Sequence, residues 1–291
     1  MTTDENNVFI EDFYPYSYTP LPRYGDGWPG HPRDPGHPAI ETILEKGLGR
    51  YEELLRRFCG FSAELLRIGL HANPSFPQQP NWINGFVPGL DAMAIYCMVA
   101  MYKPRTYLEI GSGNSTKFAV AARIAHSRDT TIVSIDPAPR AEITDICDTI
   151  IPTPLQECEL QIFAALQPGD FLFLDGSHRV LQNSDVVVFF LEILPLLKPG
   201  VIVQVHDILW PNDYPARWAK RMYSEQYMLG LLLLFAEGSI DVLLPNAYIT
   251  SHRHLISLFD NIWNAEHLNG IQPSGSSFWF SKKNPSLLRR L

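Results

Sequence analysis

Three short stretches of this sequence bring acids and imidazoles to places where chemistry is possible. Asp175-Gly176-Ser177-His178 and His206-Asp207 each follow an apolar run, and so does Glu109-Ile110-Gly111-Ser112-Gly113-Asn114-Ser115-Thr116. Asp175 and Asp207 are hard oxygen donors suited to Mg²⁺ or another divalent cation, with His206 as a third ligand. Such an ion binds a hydroxyl and lowers its pKa. His178, three residues beyond Asp175, is placed to take the proton, a task that suits a neutral imidazole near physiological pH. Each residue also has a plainer use. Asp175-Gly176 can be a strand-to-helix turn, Ser177 an N-cap, and His206 a satisfied core histidine.

The elements that must position these residues follow from the apolar pattern. Short, largely apolar runs at 106–110, 131–135, 171–174 and 201–205, with a weaker one at 148–151, predict strands. Helical stretches at 116–126, 157–166 and 185–197 alternate with them. That alternation predicts a parallel sheet covered on both faces, a doubly wound α/β core. Open sheets of this kind bind ligands at the carboxyl ends of their strands, where all the acid and histidine motifs fall. Gly111 and Gly113 allow a tight turn, and the helix that follows offers free N–H groups. The third glycine of a dinucleotide fingerprint is missing at Thr116. A carboxylate at Glu109 repels a pyrophosphate but attracts the ammonium-bearing end of S-adenosylmethionine. Asp136 ends the second strand, where a carboxylate can accept hydrogen bonds from both ribose hydroxyls; as Asp-Pro it also suits a simple turn. The expected cofactor contacts are therefore Glu109, Gly111, Ser112, Gly113, Asn114, Ser115, Asp136 and Asp175.

The remainder of the chain sets boundaries. Residues 1–38 form a proline- and aromatic-rich arm, with seven prolines and four glycines between 15 and 38. Such density prevents regular structure. Residues 39–103 read as a helical N-terminal extension and substrate-side cap, with Tyr51, Leu54, Leu55 and Phe58 on one face and Gly47, Gly49 and Gly60 dividing it. Residues 104–291 form the core. Its last third holds a helix at 217–235, strands at 240–244 and 276–281, and a connection at 245–275 long enough to be a lid. The net charge of −8 argues against a nucleic-acid partner. Four cysteines without CxxC spacing read as buried thiols of a reducing cytosol. There is no leader-like start, and the most apolar stretch, Met228 to Phe235, is far short of the ~20 residues of a membrane helix. A cytoplasmic protein is expected, and the aromatic arm suits a homodimer.

These motifs resemble the class I S-adenosylmethionine-dependent methyltransferases, and among them the methyltransferase-24-like group, related to catechol and macrolide-sugar O-methyltransferases. The matching segments are 109–116, 134–137, 173–178 and 206–207, within 81–281. The resemblance implies a Rossmann-like seven-stranded sheet of order 3-2-1-4-5-7-6, its last strand antiparallel and containing Phe278-Trp279-Phe280. It implies Mg²⁺ held by Asp175 and the His206-Asp207 pair, with His178 as base. Here His206 stands where the metal-dependent relatives begin that pair with an acid, which lowers the negative charge offered to a cation. The catalytic lysine of the catechol enzymes has no counterpart. The activity implied is methylation of an oxygen on a small hydroxylated acceptor, a sugar or natural product. Two other classes compete: an NAD(P)-dependent oxidoreductase or epimerase, and a non-catalytic protein that binds S-adenosylmethionine. Thr116 and Glu109 count against the first, and His178 beside Asp175 against the second.

Overall fold

Seven strands form one sheet in the order β3-β2-β1-β4-β5-β7-β6. The strands are β1 (Thr106–Ile110), β2 (Thr131–Ile135), β3 (Thr149–Ile151), β4 (Phe171–Leu174), β5 (Ile202–Val205), β6 (Ile240–Pro245) and β7 (Phe278–Lys282). This computed structural model describes residues 22–25, 36–139, 143–236 and 238–283. The first five strands run parallel, and β7 is antiparallel to both β5 and β6. β1, β4 and β5 are buried on both faces apart from Thr106, as expected of short apolar strands between helix layers.

Register is what gathers the motifs. Ile110 pairs with Ile135 on one side and Leu174 on the other, and Leu174 pairs with Val205. Gly111, Asp136, Asp175 and His206 are therefore each the first residue past the same level of the sheet. Parallel pairing thus turns four separate sequence positions into one rim.

Helices cover the faces: α1 (Pro38–Glu45), α2 (Leu48–Phe58), α3 (Gly89–Tyr102), α4 (Asn114–His126) and α5 (Glu225–Phe235), with shorter turns between. α2 buries Tyr51, Leu54, Leu55 and Phe58, the stripe its spacing predicts. α3 is buried all round from Gly89 to Ala100 and packs against α4, so it is a core helix with no solvent face over that span. It stops at Lys103, which adopts φ 48° just before Pro104. Residues of the N-terminal helices, the sheet and the 246–271 region share one buried hydrophobic cluster. The 39–103 extension is thus continuous with the core. Among the described residues, no helix is long and apolar enough to cross a membrane.

Some elements differ from the sequence reading or fall outside the described residues. Most of the 1–38 arm lies outside the described residues; its described pieces lie on the chain's own core. Asp213 Oδ2 accepts the N–H groups of Arg23 and Tyr24, and His37 N donates to the carbonyl of Pro211. The connection at 245–275 lies against α3 and contributes no wall to the main cavity. Leu255, Phe259, Ile262 and Leu268 are fully buried, which welds it to the core. Finally, the helix expected over 217–235 breaks at Met222 (φ 55°) into a 3₁₀ segment, Ala216–Arg221, and α5. That break sets the start of α5 beside the candidate site.

Candidate active site

A cavity of about 600 Å³ opens at the carboxyl ends of β1, β2 and β4. Gly111 through Ser115 form its floor, Asp136 and Pro137 one side, and Asp175 through Arg179 the other. Phe86 and Tyr223 also line it. Eight of the sequence-predicted residues meet here: Gly111, Ser112, Gly113, Asn114, Ser115, Asp136, Asp175 and His178.

The glycine turn is dictated by space as well as by dihedral angle. Gly111 has φ +75°, and a Cβ there would lie 1.9 Å from the carbonyl oxygen of Asp175. Only glycine lets β1 and β4 end this close together. Thr116 occupies the place of the absent third glycine. Its Oγ1 accepts from Gly113 N (3.0 Å) and donates to Glu109 Oε2 (2.6 Å). Asp136 closes the loop from the β2 side. Its Oδ2 accepts from Ser112 N (2.8 Å) and its Oδ1 from Ala138 N (2.8 Å). An ionised carboxylate has about four lone-pair positions, so this one retains capacity for a hydroxyl in the cavity.

Glu109 is placed differently from the expectation. It is fully buried, is not a cavity wall, and takes hydrogen bonds from the hydroxyls of Ser115 and Thr116. Burial, reinforced by the charges of Asp175 and Asp136, pushes its pKa up to about 8 despite those hydrogen bonds. That shift favours the protonated acid. Its position braces the turn between β1 and α4.

At the other end of the cavity the acids and imidazoles interlock. His178 Nδ1 lies 2.5 Å from Glu225 Oε1, while Nε2 faces Asp175 Oδ1 (3.4 Å) and Asp207 Oδ2 (3.7 Å). His206 is wired in the opposite sense. Its Nε2 faces Asp91 Oδ2 (3.2 Å), and its Nδ1 faces Asp175 Oδ1 (3.4 Å) and Asp207 Oδ1 (3.6 Å). Each ring thus sits between one private, fully buried carboxylate and the shared Asp175/Asp207 pair. Burial alone would lower both imidazole pKa values, but the surrounding carboxylates outweigh it. His178 is raised to about 9, and His206 is raised well above its ordinary value. The sequence reading expected a neutral His178 at physiological pH; the three carboxylates around it favour the protonated ring.

Sequence reasoning did not find Asp91, Glu225 or Ser276. Asp91, in the first turn of α3, accepts from Asn246 Nδ2 (2.7 Å), Ser276 N (2.8 Å) and Ser277 N (2.9 Å). Ser276 Oγ also donates to Asp207 Oδ1 at 3.1 Å. Glu225 opens α5, and a serine followed by an acid before the apolar run 226–235 was the one local signal for it.

His206 and Asp207 lie behind Asp175 and are not cavity walls. Among the described residues, no group of three His, Cys, Asp or Glu side chains is arranged to hold a metal ion. Asp175 and Asp207 each pair with His206 Nδ1, and both nitrogens of His206 face carboxylates.

Residues 108–208, from β1 to just beyond β5, match the family described as a methyltransferase domain. The chain carries a methyltransferase domain. With the 3-2-1-4-5-7-6 sheet and its reversed last strand, the expectation of a class I S-adenosylmethionine-dependent methyltransferase holds. Solved structures give only distant likenesses. A Thermobifida fusca protein aligns at 13% identity and TM-score 0.42, over 68% of this methyltransferase and 85% of that chain. An O-methyltransferase from Bacillus cereus, solved with SAH, aligns at 14% and 0.36, over 84% and 97%. A Podospora anserina methyltransferase, also SAH-bound, aligns at 14% and 0.39, over 84% and 96%. At these values they add no argument to the methyltransferase's own topology. Among curated proteins none matches.

Proposed function

We propose that this methyltransferase acts on the hydroxyl of a small acceptor, with His178 as the group that takes the hydroxyl proton. The observation that carries this reading is the cavity itself. One wall is the glycine turn with Asp136, suited to a nucleoside, and the other presents Asp175 and His178. S-adenosylmethionine supplies an electrophilic methyl on a sulfonium, and transfer is an in-line displacement that depends on alignment. Asp136 is the acceptor for the ribose hydroxyls. The N–H groups of Asn114 and Ser115, at the start of α4, suit the carboxylate of the amino-acid end. Asp175, with its side chain 28% exposed, is the carboxylate nearest the reacting end.

The proton steps follow from the wiring of His178. When the ring is neutral, its Nε2 lone pair faces the carboxylates of Asp175 and Asp207, which makes it a strong proton acceptor. The imidazolium formed is stabilised by those same groups. Cost and benefit have one origin: the ring is a good base but is seldom unprotonated at neutral pH. Because Asp175, His206 and Asp207 are engaged with one another, no step is routed through a divalent cation.

Calorimetry with S-adenosylhomocysteine tests the cofactor half. Wild type should bind it, and Asp136→Ala should lose about tenfold or more of that affinity, since a hydrogen bond to a charged group is worth ~1.5–3 kcal/mol. His178→Ala should bind it unchanged and turn over ~10²-fold or more slowly. Equal affinity in Asp136→Ala would remove the ribose assignment, and undiminished turnover in His178→Ala would remove the base.

A further inference from the structure

The segment 221–225 makes more contacts with the His178 turn than packing requires. Ser224 N and Glu225 N both donate to the carbonyl of His178, at 2.8 and 3.3 Å. Ser224 Oγ accepts from Val180 N at 2.8 Å, and Arg179 Nε donates to the carbonyl of Arg221 at 3.0 Å. The Tyr223 ring lies 4.3 Å from the His178 ring, centroid to centroid. These contacts hold His178 at φ 62°, a left-handed conformation that side chains other than glycine rarely adopt. Strain of this kind persists only where the surroundings over-determine it, and it clusters at functional sites.

Glu225 is the unusual member of the clamp. Its carboxylate is fully buried, and Oε2 has no hydrogen-bond partner among the described residues. Oε1 is hydrogen-bonded to His178 Nδ1. A buried carboxylate left half-satisfied is costly. Backbone contacts from Ser224 already fasten the turn, so stapling alone does not call for an acid at 225.

We propose that Glu225 is a positioning residue for the methyl transfer: it keeps the ring proton of His178 on Nδ1, so that Nε2 is the nitrogen that takes the acceptor's proton. The two nitrogens are otherwise close to interchangeable, and a partner on one settles the tautomer of the other. In the step itself the acceptor O–H breaks, its proton joins Nε2, and the oxygen's electron pair forms the new O–C bond as the sulfonium C–S bond breaks. Nδ1 keeps its proton throughout, held by Glu225. The resulting imidazolium is flanked by Glu225 on one side and Asp175/Asp207 on the other. This assignment rests on His178 being the base.

The test uses Glu225→Gln and Glu225→Asp in the full chain, with ring ¹⁵N shifts of His178 as a direct readout. In wild type above pH 10 the neutral ring should show the proton on Nδ1. Glu225→Gln should shift it toward a mixture of tautomers and lower kcat about tenfold or more. KM and S-adenosylhomocysteine affinity should stay within twofold, and Glu225→Asp should recover part of kcat. A merely structural glutamate predicts a joint loss of stability, cofactor affinity and kcat with the tautomer intact, and that result overturns the proposal. So does an Nε2–H tautomer in wild type, which needs no variant to fold. If His178→Ala keeps full turnover, the base assignment fails while the tautomer measurement still reports what Glu225 does.

Discussion

The raised pKa of His178 makes a kinetic prediction with a definite sign. A base works only when unprotonated, and kcat/KM follows the ionisation of the free enzyme. With a pKa of about 9, roughly one His178 in a hundred is neutral at pH 7. The rate should therefore climb about tenfold per pH unit above pH 7, bend near pH 9, and level off about a hundredfold higher. The assay is kcat/KM from pH 6 to 10.5 with an aliphatic alcohol acceptor, whose own hydroxyl does not titrate in that window. Cofactor affinity is measured at each pH to separate binding from chemistry. His178→Ala should lie far below wild type at high pH and lose the limb centred near 9. A flat wild-type profile, or an unchanged limb in His178→Ala, would refute the claim that this imidazole, held protonated by Glu225, Asp175 and Asp207, is the base.

Three further outcomes follow from the geometry. Gly111→Ala should destabilise the fold by about 2 kcal/mol or more in thermal or urea denaturation, because the new Cβ meets a backbone oxygen at 1.9 Å and the residue sits at φ +75°; a neutral effect would mean the turn is looser than described. Glu109 has a folded pKa of about 8, well above its ordinary carboxylate value, so the folded state binds its proton more tightly than the unfolded one. Its contribution is complete below about pH 4.5 and is lost as pH rises through 8, at up to about 1.4 kcal/mol per unit. Glu109→Gln should flatten that part of the stability profile, and an unaltered slope would reassign it. Exhaustive chelation should leave turnover unchanged, because Asp175, His206 and Asp207 are paired with one another; a tenfold or greater recovery on adding Mg²⁺ would show that they rearrange around an ion.

How far the site was legible in the sequence depended on whether a residue's role was local. Asp136, Asp175 and His178 lie at or just beyond strand ends, and strand ends can be read from short apolar runs; parallel register then does the gathering. The sheet order came from the family resemblance that those motifs carry, not from the apolar runs themselves. Glu109 shows the limit of such reading. Its identity and spacing suggested a charge in the cavity, but its side chain turns onto Ser115 and Thr116 and favours the protonated form. The 245–275 connection was expected as a lid from its length alone; Leu255, Phe259 and Ile262, at helical spacing, and Leu268 are buried and anchor it to the core.

The least legible residues are those that set the chemistry of the others. Asp91 comes from a helix 84 positions before Asp175, and Glu225 from one 47 positions after His178. Neither stands in a motif, because what each contributes is proximity to an imidazole. Two histidines beside the same two aspartates would behave alike if nothing else distinguished them. His178 is a cavity wall with its partner on Nδ1, whereas His206 is enclosed with its partner on Nε2. Mirror-image wiring thus leaves one ring to meet the acceptor and makes the other an internal cation for Asp91, Asp175 and Asp207. Exchanging the private acids for amides should separate the roles. Asp91→Asn should cost stability, by replacing the carboxylate that faces His206 and accepts from Ser276 and Ser277, while leaving the tautomer of His178 unmoved. A shift of the His178 ring nitrogens in Asp91→Asn would mean that the two imidazoles form a single coupled unit.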